Sequence, residues 1–140
     1  MKELYGDTGY WVAQLLPDDA LHTVARRLTD ALTADTRIVT SDLVLVEFLN
    51  HVSAIGIRAR FEAISICNDL YADPAVLIVP GGSSTQLREA MRMYEKFYDK
   101  YWSLTDCSSF IIMRERKIQD ALTFDHHFEQ AGFRALLRSE

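Results

Sequence analysis

The chain has 140 residues, 49% hydrophobic and 25% charged, which suits one globular domain over residues 1–140 whose core needs no cross-links. Its 15 basic and 20 acidic residues leave a net charge of −5, which excludes a protein that coats nucleic acid by charge alone but leaves room for a basic rim around bound cations. No apolar run approaches the ~20 residues of a membrane span. Met1-Lys2-Glu3-Leu4 lacks a signal-peptide layout, and Cys67 and Cys107 show neither metal-ligand spacing nor a disulfide framework, so a cytoplasmic protein with no membrane partner is expected.

Glu3 to Gly6 reads as a short strand ending at Asp7-Thr8-Gly9, and a brief helix from Tyr10 to Leu16 stops at Pro17. Asp18 is the expected cap of a longer helix to about Ala34, with Leu21, Val24, Ala25, Leu28 and Leu32 on its apolar side. Arg37-Ile38-Val39 is a strand. Thr40 or Ser41 then caps a helix whose Val44, Leu45, Phe48, Leu49, Val52 and Ile55 keep helical spacing up to Gly56. Residues 58–72 repeat the helical pattern. The continuous apolar run from Ala75 to Val79, ended by Pro80-Gly81-Gly82, predicts a strand buried on both faces. Ser83 and Gln86 are spaced for a capping box opening a helix to about Asp99. A helix over 104–117, a strand at Ala121-Leu122-Thr123 and a last strand from Phe133 to Leu137 complete the chain. Strands alternating with helices predict an α/β fold, a three-layer α/β/α sandwich around a central parallel sheet.

Four acids interrupt apolar stretches: Asp7 after Leu4-Tyr5-Gly6, Glu47 within Leu43 to Leu49, Asp106 before Phe110-Ile111-Ile112-Met113, and Asp125 after Ala121 to Phe124. A carboxylate among apolar neighbours is costly unless paired or bound to metal. Each alone has a local explanation. Asp7 and Asp125 suit helix N-caps, Ser103-x-x-Asp106 suits a capping box, and Glu47 suits a solvated helix face. Together they fall differently, because Asp7 and Asp125 follow strands and Asp106 opens a helix, where α/β sheets place ligands. Converging carboxylates repel, and a hard cation such as Mg²⁺ or Mn²⁺ relieves that repulsion and suits phosphodiester hydrolysis.

The same stretches carry a resemblance. Gly6-Asp7-Thr8-Gly9-Tyr10, Asp42 to Phe48, Trp102 to Phe110, and Leu122 to Phe128 continuing to Gly132-Phe133 are similar to the PIN-domain ribonucleases, specifically the VapC-type toxins of toxin–antitoxin pairs. The resemblance spans essentially the whole chain and implies a PIN-like fold that cuts RNA to leave 5′-phosphate and 3′-hydroxyl ends. It implies catalytic and metal-binding roles for Asp7, Glu47, Asp106 and Asp125 around Mg²⁺ or Mn²⁺. Asp7 and Asp106 would be the most direct ligands, with Glu47 and Asp125 completing the shell or orienting water. It implies a cognate antitoxin protein and a homodimer. A PIN nuclease in RNA processing, or a PIN-like module that binds RNA or protein without cutting, are the alternatives.

Other signals are weaker. Asp7-Thr8-Gly9 matches a retroviral-type aspartic protease tripeptide, but that fold is nearly all β. Asp125-His126-His127 lacks the further aspartates of the phosphoesterases it echoes. Adjacent helical side chains point about 100° apart, so His126 and His127 are not expected to share a metal and at least one should be exposed. Thr8 and Thr123 are expected to cap locally or support the acids. His22 reads as a contact within its own helix, Cys107 as a small buried thiol, Gly81-Gly82 as a turn and Asp99 as a helix-end charge. Tyr94, Phe97, Tyr98 and Tyr101 form a stripe suited to core or interface. Arg88, Arg92 and Lys96, with Arg114, Arg116 and Lys117, are solvated faces by default that could meet phosphates.

Overall fold

The computed structural model describes residues 1–138. Five parallel strands, β1 (Lys2–Gly6), β2 (Thr36–Ser41), β3 (Val76–Val79), β4 (Asp120–Leu122) and β5 (Arg134–Ala135), form one sheet in the order β3-β2-β1-β4-β5. Around it pack α1 (Thr8–Leu15), α2 (His22–Asp30), α3 (Asp42–Ser53), α4 (Ile57–Ala72), α5 (Ser84–Lys96), α6 (Leu104–Arg116) and α7 (His126–Gln130). This is the expected α/β/α sandwich. The chain winds from β1 outward through β2 to β3, then returns to lay β4 on the other flank of β1. Tyr5 pairs with Ala121 and Gly6 with Leu122. The reversal between β1 and β4 is a topological switch point, where an open parallel sheet leaves a crevice beyond its strand ends.

The core explains this winding. Tyr5, Phe48, Phe110, Phe128 and Met113 are fully buried. The Phe110 ring meets Trp102 and Phe128 edge-on, with centroids 4.9 Å away in both cases, and tilts against Phe133 at 5.8 Å. That cluster ties α6 and α7 to the segment entering β5. Gly6 has a steric role, because a Cβ there would lie 2.8 Å from Cζ2 of Trp11. The Trp11 indole donates to Thr40 Oγ1 at 3.3 Å, and Thr40 donates to the Gly6 carbonyl at 2.8 Å, so α1 sits directly on the ends of β1 and β2.

Several elements depart from expectation. The helix expected from Asp18 begins only at His22, because the Asp19 carboxylate accepts the Leu21 amide at 2.9 Å and closes a turn that competes with helix. The His22 side chain reaches a different helix, although its amide bonds the Asp19 carbonyl locally at 3.0 Å. Its Nδ1 lies 2.6 Å from the Ala13 carbonyl of α1. The apolar run at 76–79 forms an edge strand of intermediate burial rather than a fully buried one, since among the described residues no strand pairs along its outer edge and that edge stays open to solvent. The helix expected to reach Asp99 ends at Lys96, and a 3₁₀ turn follows at Tyr98–Lys100. The aromatic stripe is therefore broken: Phe97 packs on Trp102, while Tyr94, Tyr98 and Tyr101 are exposed. The last strand shrinks to two residues.

Caps are divided between local and long-range work. Ser41 caps α3 by accepting the Val44 amide at 3.2 Å. Replacing Ser41 with Ala should cost about 1 kcal/mol, the usual value of an N-cap, read as a lower denaturation midpoint in urea at unchanged m-value. Ser83 accepts the Gln86 amide at 3.4 Å, but the Gln86 side chain bonds the Ser83 hydroxyl instead of its backbone, so the reciprocal box is not formed. At Ser103 and Asp106 both halves of the box are present.

Candidate metal centre and nucleic-acid cleft

Asp7, Glu47, Asp106 and Asp125 line one cleft of about 490 Å³ beyond the carboxyl ends of β1 and β4, at the switch point. The structure brings all four expected acids there from four different elements. Asp7 occupies the N-cap position of α1, but its side chain makes no capping bond. Its Oδ2 instead accepts the Thr123 hydroxyl at 2.9 Å across the switch point. Thr123 also accepts the Asp125 amide at 3.0 Å, so one hydroxyl links the acid after β1 to the acid after β4.

Asp106 serves as cap and site residue together. Its Oδ2 accepts the Ser103 amide at 3.2 Å and faces His127 Nδ1 at 3.2 Å. Asp125 caps α7 by accepting the His127 amide at 2.9 Å. Glu47 is the outlier, exposed on the apolar helix α3 and reaching the cleft beside His51, one helical turn on.

The electrostatics are those of a site short of positive charge. Burial pushes the Asp7 carboxyl up to about 7, the Asp106 carboxylate adds to the rise and Asp125 adds less; the Thr8 amide and Thr123 hydroxyl oppose it. Burial likewise raises Asp106, with Asp125 next, against the Ser103 amide and His127. Thr8 Oγ1 is the only buried side-chain polar atom without a hydrogen-bond partner among the described residues, and it lines the same cleft. Oxygen donors, mutual repulsion and an orphaned hydroxyl fit a hydrated Mg²⁺ or Mn²⁺.

Five further residues line the cleft without having been among the expected site residues. Asp19 joins from the turn before α2, and His51 from α3. His126 borders the cleft on α7. Phe124 is half exposed between Thr123 and Asp125, with the Arg138 guanidinium stacked 4.8 Å from its ring centroid. Arg138 also donates to the Phe124 carbonyl at 3.1 Å and pairs with Glu129 at 2.9 Å. Only a spacing to the fourth acid could have hinted at this pair.

The two histidines correct an expectation. His126 is exposed, as expected, but the rings do not diverge. Their centroids are 4.5 Å apart, both Nδ1 atoms face Asp125, and ligand atoms of the three residues lie within 4.8 Å of one another. At the first turn of a five-residue helix, both side chains can lean back toward the capping carboxylate.

The remaining basic residues lie elsewhere. Arg116 pairs with Glu3 at 2.8 Å, at the opposite end of β1, and Lys117 lines a cavity there with Lys2. Arg114 donates to the Ala131 carbonyl at 3.5 Å. Arg88, Arg92 and Lys96 line a separate groove on α5, and Asp99 is exposed in the 3₁₀ turn. Cys107 is buried and free, its thiol pushed up to about 11 by burial and by Asp106, so it is no nucleophile at neutral pH.

Comparison with known proteins agrees with this fold. The model of the PIN-domain family matches residues 4–134. The chain is 29% identical over 131 residues to the 23S rRNA-specific endonuclease VapC20 of Mycobacterium tuberculosis, in strains CDC 1551 / Oshkosh and H37Rv, covering 93% of this chain and 95% of the relative. The crystal structure of M. tuberculosis VapC20, described as a sarcin-ricin loop cleaving toxin, superposes with a TM-score of 0.81 at 28% identity, with coverage of 93% and 95%.

Proposed function

The chain belongs to the PIN-domain family, and from that premise we propose that it is a divalent-metal-dependent endoribonuclease acting as the toxin of a toxin–antitoxin pair. The observation that carries this reading is the convergence of Asp7, Glu47, Asp106 and Asp125 on one cleft at the switch point. Asp7 and Asp106, the buried pair, would hold Mg²⁺ or Mn²⁺, with Glu47 and Asp125 completing the shell or orienting water. A cation bound there supplies charge neutralisation at the scissile phosphate and acidifies the attacking water.

The protein's own residues do the rest. Thr123 holds the Asp7 carboxylate toward the cleft, and the Ser103 amide fixes Asp106 from behind. The Thr8 hydroxyl is free to bond water or a phosphate oxygen. Arg138, stacked on Phe124, is positioned to meet the RNA backbone beside Asp125, with the Phe124 ring available to a neighbouring base. Removing the Thr123 hydroxyl as Thr123→Val should lower Mn²⁺ affinity about 10-fold or more, the scale of losing a partner that orients a metal ligand. Calorimetric titration of the variant reads this directly.

Similarity to VapC20 makes 23S ribosomal RNA, at the sarcin–ricin loop, the substrate we assign. That substrate and the two buried free cysteines support a cytoplasmic location; no helix among the described residues is long and apolar enough to cross a membrane. The antitoxin and a second copy of the chain are the proposed protein partners. Exposed apolar side chains support such partners: Ile57, Phe61 and Ile64 along α4, and Met91, Tyr94 and Tyr98 along an apolar groove beside Leu104. We assign the second of these surfaces to the homodimer. Induction should arrest growth and leave 23S rRNA cut at a single loop. Intact 23S rRNA in arrested cells, with a processing precursor cut instead, would favour the housekeeping nuclease.

A further inference from the structure

His127 Nδ1 stands 3.2 Å from Asp106 Oδ2 and 3.4 Å from Asp125 Oδ1, and His126 Nδ1 stands 3.7 Å from the same Asp125 oxygen. A proton on His127 Nδ1 can serve one of its two carboxylates, and the 3.4 and 3.7 Å separations exceed good N–H···O geometry. A metal with nitrogen and oxygen ligands at 2.0–2.1 Å has tetrahedral ligand–ligand edges of about 3.4 Å, close to the separations that both imidazoles keep from Asp125. Side-chain exposure falls from 59% at His126 to 34% at Asp125 and 20% at His127, so the cluster runs from solvent into the cleft and gives an ion an entry path.

We propose that Nδ1 of His126, Nδ1 of His127 and Oδ1 of Asp125 form a three-ligand binding site for a borderline transition ion of the Zn²⁺ class, adjoining the hard-cation centre and differing from it in donor chemistry. Two imidazoles and one carboxylate, with a position left for water, suit Zn²⁺ or Co²⁺, whereas Mg²⁺ prefers oxygen and retains water. The site shares Asp125 with the proposed nuclease centre, so an ion held by the imidazoles withdraws that carboxylate from it. The proposal rests on the nuclease reading only for that consequence; the chelation depends on the three side chains alone.

Co²⁺ added to the full-length protein tests it, because nitrogen ligation in a four- or five-coordinate site produces visible d–d bands and oxygen-only hydrated sites give weak ones. The wild type should show these bands with one Co²⁺ bound, displaced by one equivalent of Zn²⁺. His126→Ala, at an exposed position, should weaken Zn²⁺ binding, and His126→Ala with His127→Asn should abolish the bands. The expected loss of Zn²⁺ affinity in the double variant is at least the ~10–100-fold that removal of an outer-sphere partner costs a metal site. Asp7→Asn should keep the bands while losing Mn²⁺-supported cleavage, which separates this site from the nuclease centre. Absence of bands in the wild type, or undiminished bands in His126→Ala, overturns the proposal whether or not the protein cuts RNA.

Discussion

Replacing Asp106 with Asn is expected to lower RNA cleavage by more than about 10²-fold, the scale of losing one electrostatic contact to a developing charge in a catalytic site. The fold should survive. The asparagine carbonyl can still accept the Ser103 amide, so the capping box loses charge rather than its backbone half. Burial and the Asp125 carboxylate both raise the Asp106 carboxyl, so the charged form is unwelcome in the metal-free protein. The variant should therefore melt at a higher temperature than the wild type in chelator, and Mn²⁺ should stabilise it less. Cleavage lost together with a raised metal-free Tm identifies a functional carboxylate, because loss through misfolding would lower Tm.

The second large effect is a pH dependence set by Asp7. Its carboxyl lies near 7 in the folded protein against an ordinary value of 3.8, raised by burial first and by Asp106 second. The folded state thus binds more protons than the unfolded chain between these values, and stability falls as pH rises across that window. The stabilising contribution is complete below about pH 4 and is lost by about pH 7–8, a change of roughly 4 kcal/mol at 1.36 kcal/mol per pKa unit. Asp7→Asn should flatten this slope in chelator-treated protein. Binding of Mn²⁺ requires the ionised form, so affinity should fall toward tenfold per pH unit below about 7, and calorimetry across pH checks the sign.

Much of this site was legible in the sequence because it sits on regular elements. Asp7 and Asp125 could be placed once the strands before them were read from their apolar runs. The Ser103–Asp106 spacing marked the start of α6, and capping and cleft-facing roles turned out to share one carboxylate. Asp7 shows the converse, holding a cap position while its side chain bonds Thr123 on the far side of the switch point.

What sequence spacing could not reach comes from turns and from contacts between distant segments. Asp19 enters the cleft because its own side chain closes a turn that delays the start of α2 to His22. Arg138 reaches Phe124 only after the chain has returned through β5. The convergence of His126 and His127 depends on a first helical turn bending toward Asp125, where an ideal-helix angle does not apply. The apolar run of β3 looked enclosed because edge and central strands of a covered parallel sheet share composition, and only the pairing order distinguishes them.

The most direct test of the central claim is to incubate purified protein with ribosomes and Mn²⁺, with and without chelator, and to sequence the RNA ends produced. A metal-dependent nuclease built on these four carboxylates should yield new 5′-phosphate and 3′-hydroxyl ends at one loop of 23S rRNA, absent with chelator and absent for Asp106→Asn. Ends that persist in chelator, or that carry a 2′,3′-cyclic phosphate, would contradict it.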